Sequence, residues 1–149
     1  MIEGDFTTIH QISIFVENKA GKLSGITGVL AEAGIDIRAL SIADTTDFGI
    51  LRLITAEPDR ALAALRAAGL TVSLTEVIGV CLEDKAGALH NVLDTLGTAG
   101  VAVEYAYAFL TRKTGMAYVI LRVEDNAQAA AVLKGNGIEL LQAGDVYKI

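Results

Sequence analysis

The stretch ENKAGKL, Glu17 to Leu23, returns 66 residues later as EDKAGAL, Glu83 to Leu89, with five of its seven positions identical. So close a match at a fixed offset marks an internal repeat, and a repeat sets the architecture before any single element is assigned. The same offset pairs Leu30 with Leu96, Ala33 and Gly34 with Ala99 and Gly100, Thr45 with Thr111, and Gly49 with Gly115. Further on the register slips by two, Leu65 meeting Leu133 and Gly69 meeting Gly137, which reads as an insertion near Val123 to Asn126. Divided after residue 75, each half holds six basic and nine acidic residues.

Working outward from the motif, Ile12, Ile14 and Val16 alternate with Gln11, Ser13 and Phe15, the period of a strand with one buried face. After it, Leu23, Ile26, Leu30 and Ala33 recur at helical spacing, and Gly34 follows as the residue that ends a helix; Leu89, Val92, Leu93, Leu96, Ala99 and Gly100 repeat the pattern. Two extended runs come next, Ile35 to Ala43 and Phe48 to Thr55, joined by DTTDF, whose residues favour a hairpin turn. The single proline, Pro58, opens the helical PDRALAALRAAG, where its missing N–H is harmless, and Gly69 closes it. A strand from Thr71 to Val77 completes β-α-β-β-α-β. The predicted class is therefore α+β: two ferredoxin-like βαββαβ repeats, residues 1–76 and 77–149, with antiparallel sheets and the helices on one face. No Pro-rich, Ser-rich or charged spacer lies between Leu70 and Glu83, so no flexible linker is expected. A unit of this size with one bare sheet face buries little, and the repeats are expected to form one rigid body.

The 149 residues are 52% apolar and 20% charged, a composition that excludes a disordered chain. A net charge of -6 and the absence of any basic cluster beyond Arg112-Lys113 argue against nucleic acid and anionic membrane surfaces as partners. Asp94 interrupts the longest apolar run, between Ala86 and Val103, and MIEGDFTTIHQ lacks the pattern of a secretory signal, so a cytoplasmic protein is expected. Cys81 and two histidines assemble no disulfide and no usual zinc cluster, and no cofactor is expected. No nucleophile with a base, phosphate-binding loop or dinucleotide fingerprint is present, which speaks against an enzyme. His10 reads as a surface or edge residue, Asp44 and Asp47 as turn residues, and Tyr105 with Tyr107 as a pair sharing one sheet face.

The fragments KAGKL and KAGAL, each followed by a helix ending in AGIDI or AGVAV, resemble the ACT domain family. The resemblance covers nearly the whole chain and is to small proteins built of tandem ACT domains. It implies a regulatory module that binds a free amino acid or similar metabolite where two ACT domains meet, and that acts in trans on a partner such as an enzyme. The two loops have chemistry suited to that role. Each brings backbone N–H groups to a helix start, where a carboxylate is favoured, and Gly21 and Gly87 allow close approach or a positive φ. Asn18 and Asp84 are placed to accept from an α-ammonium group, or else serve as turn and helix-start residues. The candidate ligand-binding set is Asn18, Lys19, Ala20, Gly21, Lys22 and Leu23 in the first repeat, and Asp84, Lys85, Ala86, Gly87, Ala88 and Leu89 in the second. His90 and Asn91 join the second loop, where the first repeat has Ser24 and Gly25, and have a solvated helix start as their alternative reading. Asp36 stands where many ACT domains have Asn and is a candidate to reach a neighbouring loop; Ala102 replaces it in the second repeat. A homodimer formed through sheet edges or helices is expected. The alternatives are an interaction module without a ligand and, more remotely, a small enzyme on the same fold.

Overall fold

The computed structural model describes residues 8–44, 47–109 and 114–148. The Thr45–Thr111 match, the centre of DTTDF, the start MIEGDFT and the pair Arg112-Lys113 lie outside the described residues. Twelve elements follow one another among those described: β1 (Ile9–Glu17), α1 (Lys22–Glu32), β2 (Ile37–Asp44), β3 (Phe48–Thr55), α2 (Pro58–Ala67), β4 (Val72–Glu83), α3 (Ala88–Thr98), β5 (Val103–Phe109), β6 (Met116–Val123), α4 (Asn126–Gly135), β7 (Glu139–Leu140) and α5 (Ala143–Lys148). The described residues fall into two compact units, one within His10–Thr75 and the other from Glu76 onward together with Thr8 and Ile9.

In the first unit the strand order is β2-β3-β1-β4, with β1 and β3 antiparallel at Ile14↔Leu51 and Val16↔Gly49. The start of β4 closes the order, and Thr71 just before it accepts at its carbonyl from the Phe15 N–H at 3.2 Å. Ile12, Ile14, Val16, Leu51 and Leu53 project from one sheet face onto Ile26 and Leu30 of α1 and Ala61 and Leu65 of α2. The opposite face carries Phe15 and Phe48, stacked with ring centroids 5.0 Å apart. In the second unit the order is β7-β4-β6-β5, and Ile78, Val80, Leu82, Val119 and Leu121 meet Val92, Leu96, Ala129 and Leu133 of α3 and α4. Both units thus have the anticipated βαββαβ plan with antiparallel sheets and paired helices on one face. No helix among the described residues is long and apolar enough to cross a membrane.

The four main helices end as their glycines predict. Gly34, Gly69, Gly100 and Gly137 all have positive φ, and Ile35, Leu70, Val101 and Ile138 donate back to the carbonyls of Leu30, Leu65, Leu96 and Leu133. This is the Schellman ending, which satisfies carbonyls the helix itself leaves open.

Three features depart from the expected layout. The insertion in the second repeat lies in the β5–β6 hairpin and not near Val123 to Asn126: Glu17 faces Phe48 while Glu83 faces Met116, so the register has already slipped by two at the start of β6. A hairpin tip absorbs extra residues where a strand–helix junction bound into the core does not. Gly49 and Gly115, matched by offset, are accordingly not equivalent, the first lying in β3 and the second at φ +79 in the hairpin turn. The strand expected to end at Val77 continues unbroken to Glu83, so β4 serves as last strand of one repeat and first strand of the next. Finally, the second repeat closes with a strand of only two residues and adds α5, which the first repeat lacks.

Candidate functional site

Each repeated loop leaves a core strand and turns into a helix within five residues. Lys19 donates its N–H to the Glu17 carbonyl and Lys85 to that of Glu83, both at 2.9 Å, which folds the chain sharply at the strand end. Gly21 and Gly87 then stand at the helix N-caps with φ 85 and 88, a conformation in which a side chain is strained. A Cβ at either position would meet nothing within 4 Å, so backbone conformation, and not crowding by the protein, calls for glycine there. The two N-caps carry no side-chain hydrogen bond, whereas Asp125 caps α4 by accepting from the Gln128 N–H at 3.0 Å. The first-turn amides of α1 and α3 therefore lack the side-chain acceptor that α4 has, and each group of amides lies at the positive end of an eleven-residue helix.

Both loops border a cleft, and the two clefts differ. Beside the second loop lies one of about 560 Å³, walled by Lys85 to Ala88, Asn91 and Met116 on one side and by Gly137, Ile138 and Glu139 on the other. Beside the first loop lies one of about 290 Å³, walled by Asn18, Lys19 and Leu23 and by Ile42, Asp44 and Gly49 of the β2–β3 hairpin. Of the predicted residues the structure thus brings Asn18, Lys19 and Leu23 to the first cleft, and Lys85, Ala86, Gly87, Ala88 and Asn91 to the second. Ala20, Gly21, Lys22, Asp84, Leu89 and His90 belong to the same loops and helix starts without lining the clefts, and all are exposed. Asp36 sits at the other end of α1, about 16 Å along the helix from Gly21, where its carboxylate accepts from Arg38 at 2.6 Å.

Charge separates the loops further. Glu17 holds Lys19 at 3.1 Å and Lys22 at 3.9 Å, and the hydrogen bond and charge of Lys19, followed by the charge of Lys22, keep its carboxyl below the ordinary value of 4.5. In the second loop Glu83 pairs with Lys85 at 2.9 Å, Asp84 adds a carboxylate, and Ala88 replaces Lys22. Glu17 to Leu23 therefore nets one positive charge and Glu83 to Leu89 one negative. The remaining lining, Gly137 to Glu139 in one cleft and Ile42, Asp44 and Gly49 in the other, carries no sequence sign of a ligand role. The Gly69–Gly137 match marked a helix end but carried no sign that it faced a loop 50 residues earlier. No group of three or more potential metal ligands occurs among the described residues.

The model of the ACT domain pair family matches residues 7–149. Among curated proteins, no sequence matches. Among solved structures, protein BT0572 from Bacteroides thetaiotaomicron is 40% identical with a TM-score of 0.90, over 96% of this chain and 98% of its own. The ligand-free regulatory subunit of aspartate kinase from Thermus thermophilus is 16% identical with a TM-score of 0.60, over 88% of this chain and 93% of its own. The corresponding subunit from Thermus flavus is 16% identical with a TM-score of 0.62, over 87% and 90%. At that identity the two subunits are likenesses of fold alone.

Proposed function

This chain belongs to the ACT domain pair family, and on that premise we propose that it is a non-catalytic sensor that binds a free amino acid, or a metabolite of the same zwitterionic kind, at its repeated loops. The observation that carries the reading is the recurrence, in both units, of an uncapped helix start at a left-handed glycine beside a cleft. Lys22 and Ala88 donate back to the carbonyls of Lys19 and Lys85, and a carboxylate supplies an acceptor for the amides that follow them, its charge favoured by the helix dipole. Asn18, which lines the first cleft, is the acceptor proposed for the α-ammonium group there, while Asp84, outside the lining of the second cleft, adds negative charge to that loop. Likeness of fold to regulatory subunits of aspartate kinase accords with regulation of a separate protein, and any such output acts in trans in the cytoplasm. Self-association is proposed through β2, a terminal strand of its sheet, on which Leu40 and Ile42 are 54% and 46% exposed.

The test is a thermal-shift screen of the full chain against the twenty amino acids, with Gly87→Val and Asn91→Ala measured in parallel. A ligand present at 100 times its Kd stabilises the folded state by about 2.7 kcal/mol, a readily measured shift. A selective rise in Tm that shrinks in both variants is the expected result. No rise with any amino acid at millimolar concentration would leave an interaction module without a ligand as the better account.

A further inference from the structure

The wall of the second cleft that the loop does not supply is also the start of the C-terminal segment. Ile138 and Glu139 line the cleft, Glu139 and Leu140 form β7 against Cys81 and Val80, and the next residue donates the Leu141 N–H to the Gly79 carbonyl at 2.9 Å. From there the chain enters α5, whose Val146 is fully buried yet stands outside the helix-side core cluster. Because Ile78 and Val80 point to that cluster, Gly79 faces the opposite side of the sheet, and Leu141 covers it there. A Cβ on Gly79 would lie 2.8 Å from Leu141 Cδ1, 3.3 Å from its Cβ and 3.2 Å from Ile9 Cδ1, the tightest site at any described glycine. The first repeat has no such segment, since its last strand runs on as β4.

We infer that β7 and α5 form a strap coupled to the second cleft, so that a zwitterion seated between the loop and Ile138–Glu139 holds the strap down on Gly79. The inference rests on the sensor reading above and adds the element that reports occupancy. The attachment is short: only Leu140, Leu141 and Gln142 lie between the cleft-lining Glu139 and α5. Leu140, Leu141 and Val146 are buried, so the docked form is the resting state; local opening still exposes less apolar surface than global unfolding, and a ligand that touches only the docked form shifts the balance toward it. Coupling between two sites is reciprocal, so loosening the strap weakens binding at the cleft.

Hydrogen exchange of the full chain tests this, with an equimolar mixture of the twenty L-amino acids at millimolar concentration as the probe. The readout is the amides of Asp145 and Val146, both bonded to the Gln142 carbonyl and neither part of the cleft lining. The expected result is exchange slowed about fivefold or more by the mixture in the wild type, the low end of ordinary coupling, and no slowing in Gly87→Val. Gly79→Ala, which presses on Leu141, and Leu141→Ala, which removes its contact, are each expected to speed exchange without the mixture and to shrink the thermal shift it produces. If either variant fails to fold, the other carries the test. A mixture that raises Tm while leaving these amides unchanged, or slows them only as much as the amides of β1, overturns the strap and leaves the sensor reading intact. A mixture that changes neither Tm nor exchange overturns both.

Discussion

At Gly21 and Gly87 the same residue type is required for the same reason, and neither reason is crowding. Each has φ near 85 to 88 with open space where a Cβ would point, so an alanine there costs only the strain of the left-handed region, about 1–2 kcal/mol. Gly21→Ala and Gly87→Ala are expected to lower stability by that amount and equally, which chemical denaturation measures. Gly79 is the opposite case, a glycine with ordinary φ that is kept small by Leu141. The offset between repeats showed Gly21 and Gly87 in sequence; Gly79 gave no such sign, because its neighbour in space lies 62 residues on. Glu17 offers a second residue-scale prediction. Its folded pKa is depressed, so its contribution to stability is present above the unfolded value and is lost as pH falls from about 4.5 through the folded value. The carboxylate faces solvent, so the effect is small and fades with salt. An NMR titration should place Glu17 below 4.5, with Lys19→Ala raising it more than Lys22→Ala, in the order of the two causes.

Among the elements, the helix starts divide into two kinds with different consequences. Asp125 caps α4 through its own side chain, and Asp125→Ala is expected to cost about 1 kcal/mol with no effect on ligand binding. The starts of α1 and α3 have no cap to lose, and their stability is expected to rise when an anion binds. Calorimetry of Asp125→Ala with and without the amino acid mixture separates the two kinds: the variant should lose stability but retain the full ligand-induced shift. The elements most legible in sequence are those with long periodic faces and punctuated ends. The extended run Phe48 to Thr55 coincides with β3, and Pro58 and Gly69 bracket α2. The closing strand of the second repeat follows from the βαββαβ plan though it is only two residues long, whereas the six-residue α5 is too short for any period to declare itself and has no copy in the first repeat. The misplaced insertion has a similar origin, since Gly49 and Gly115 matched at the old offset although one is strand and the other turn.

For the molecule as a whole, the repeat visible in sequence becomes two units of like plan that share one strand. Residues 72–75 of β4 belong to the first unit and 76–83 to the second, with no break in the strand between them. We predict that this continuous strand couples the unfolding of the two units. Leu30 and Leu96 provide the test, because they are equivalent, fully buried, and lie in separate core clusters. Truncating either to alanine costs about 2–5 kcal/mol by loss of burial and creation of a cavity. If the chain unfolds as one body, scanning calorimetry should show a single transition in the wild type, and Leu30→Ala and Leu96→Ala should each move that whole transition to lower temperature. If the units were independent, each variant would split the trace, lowering one transition and leaving the other in place. The single-transition outcome also bears on signalling, because a ligand that stabilises the second unit by about 2.7 kcal/mol at 100 times its Kd would then stabilise the first unit equally. Protection of β1 amides against global opening would rise with that of β4, a result exchange measured under mildly destabilising conditions can read directly.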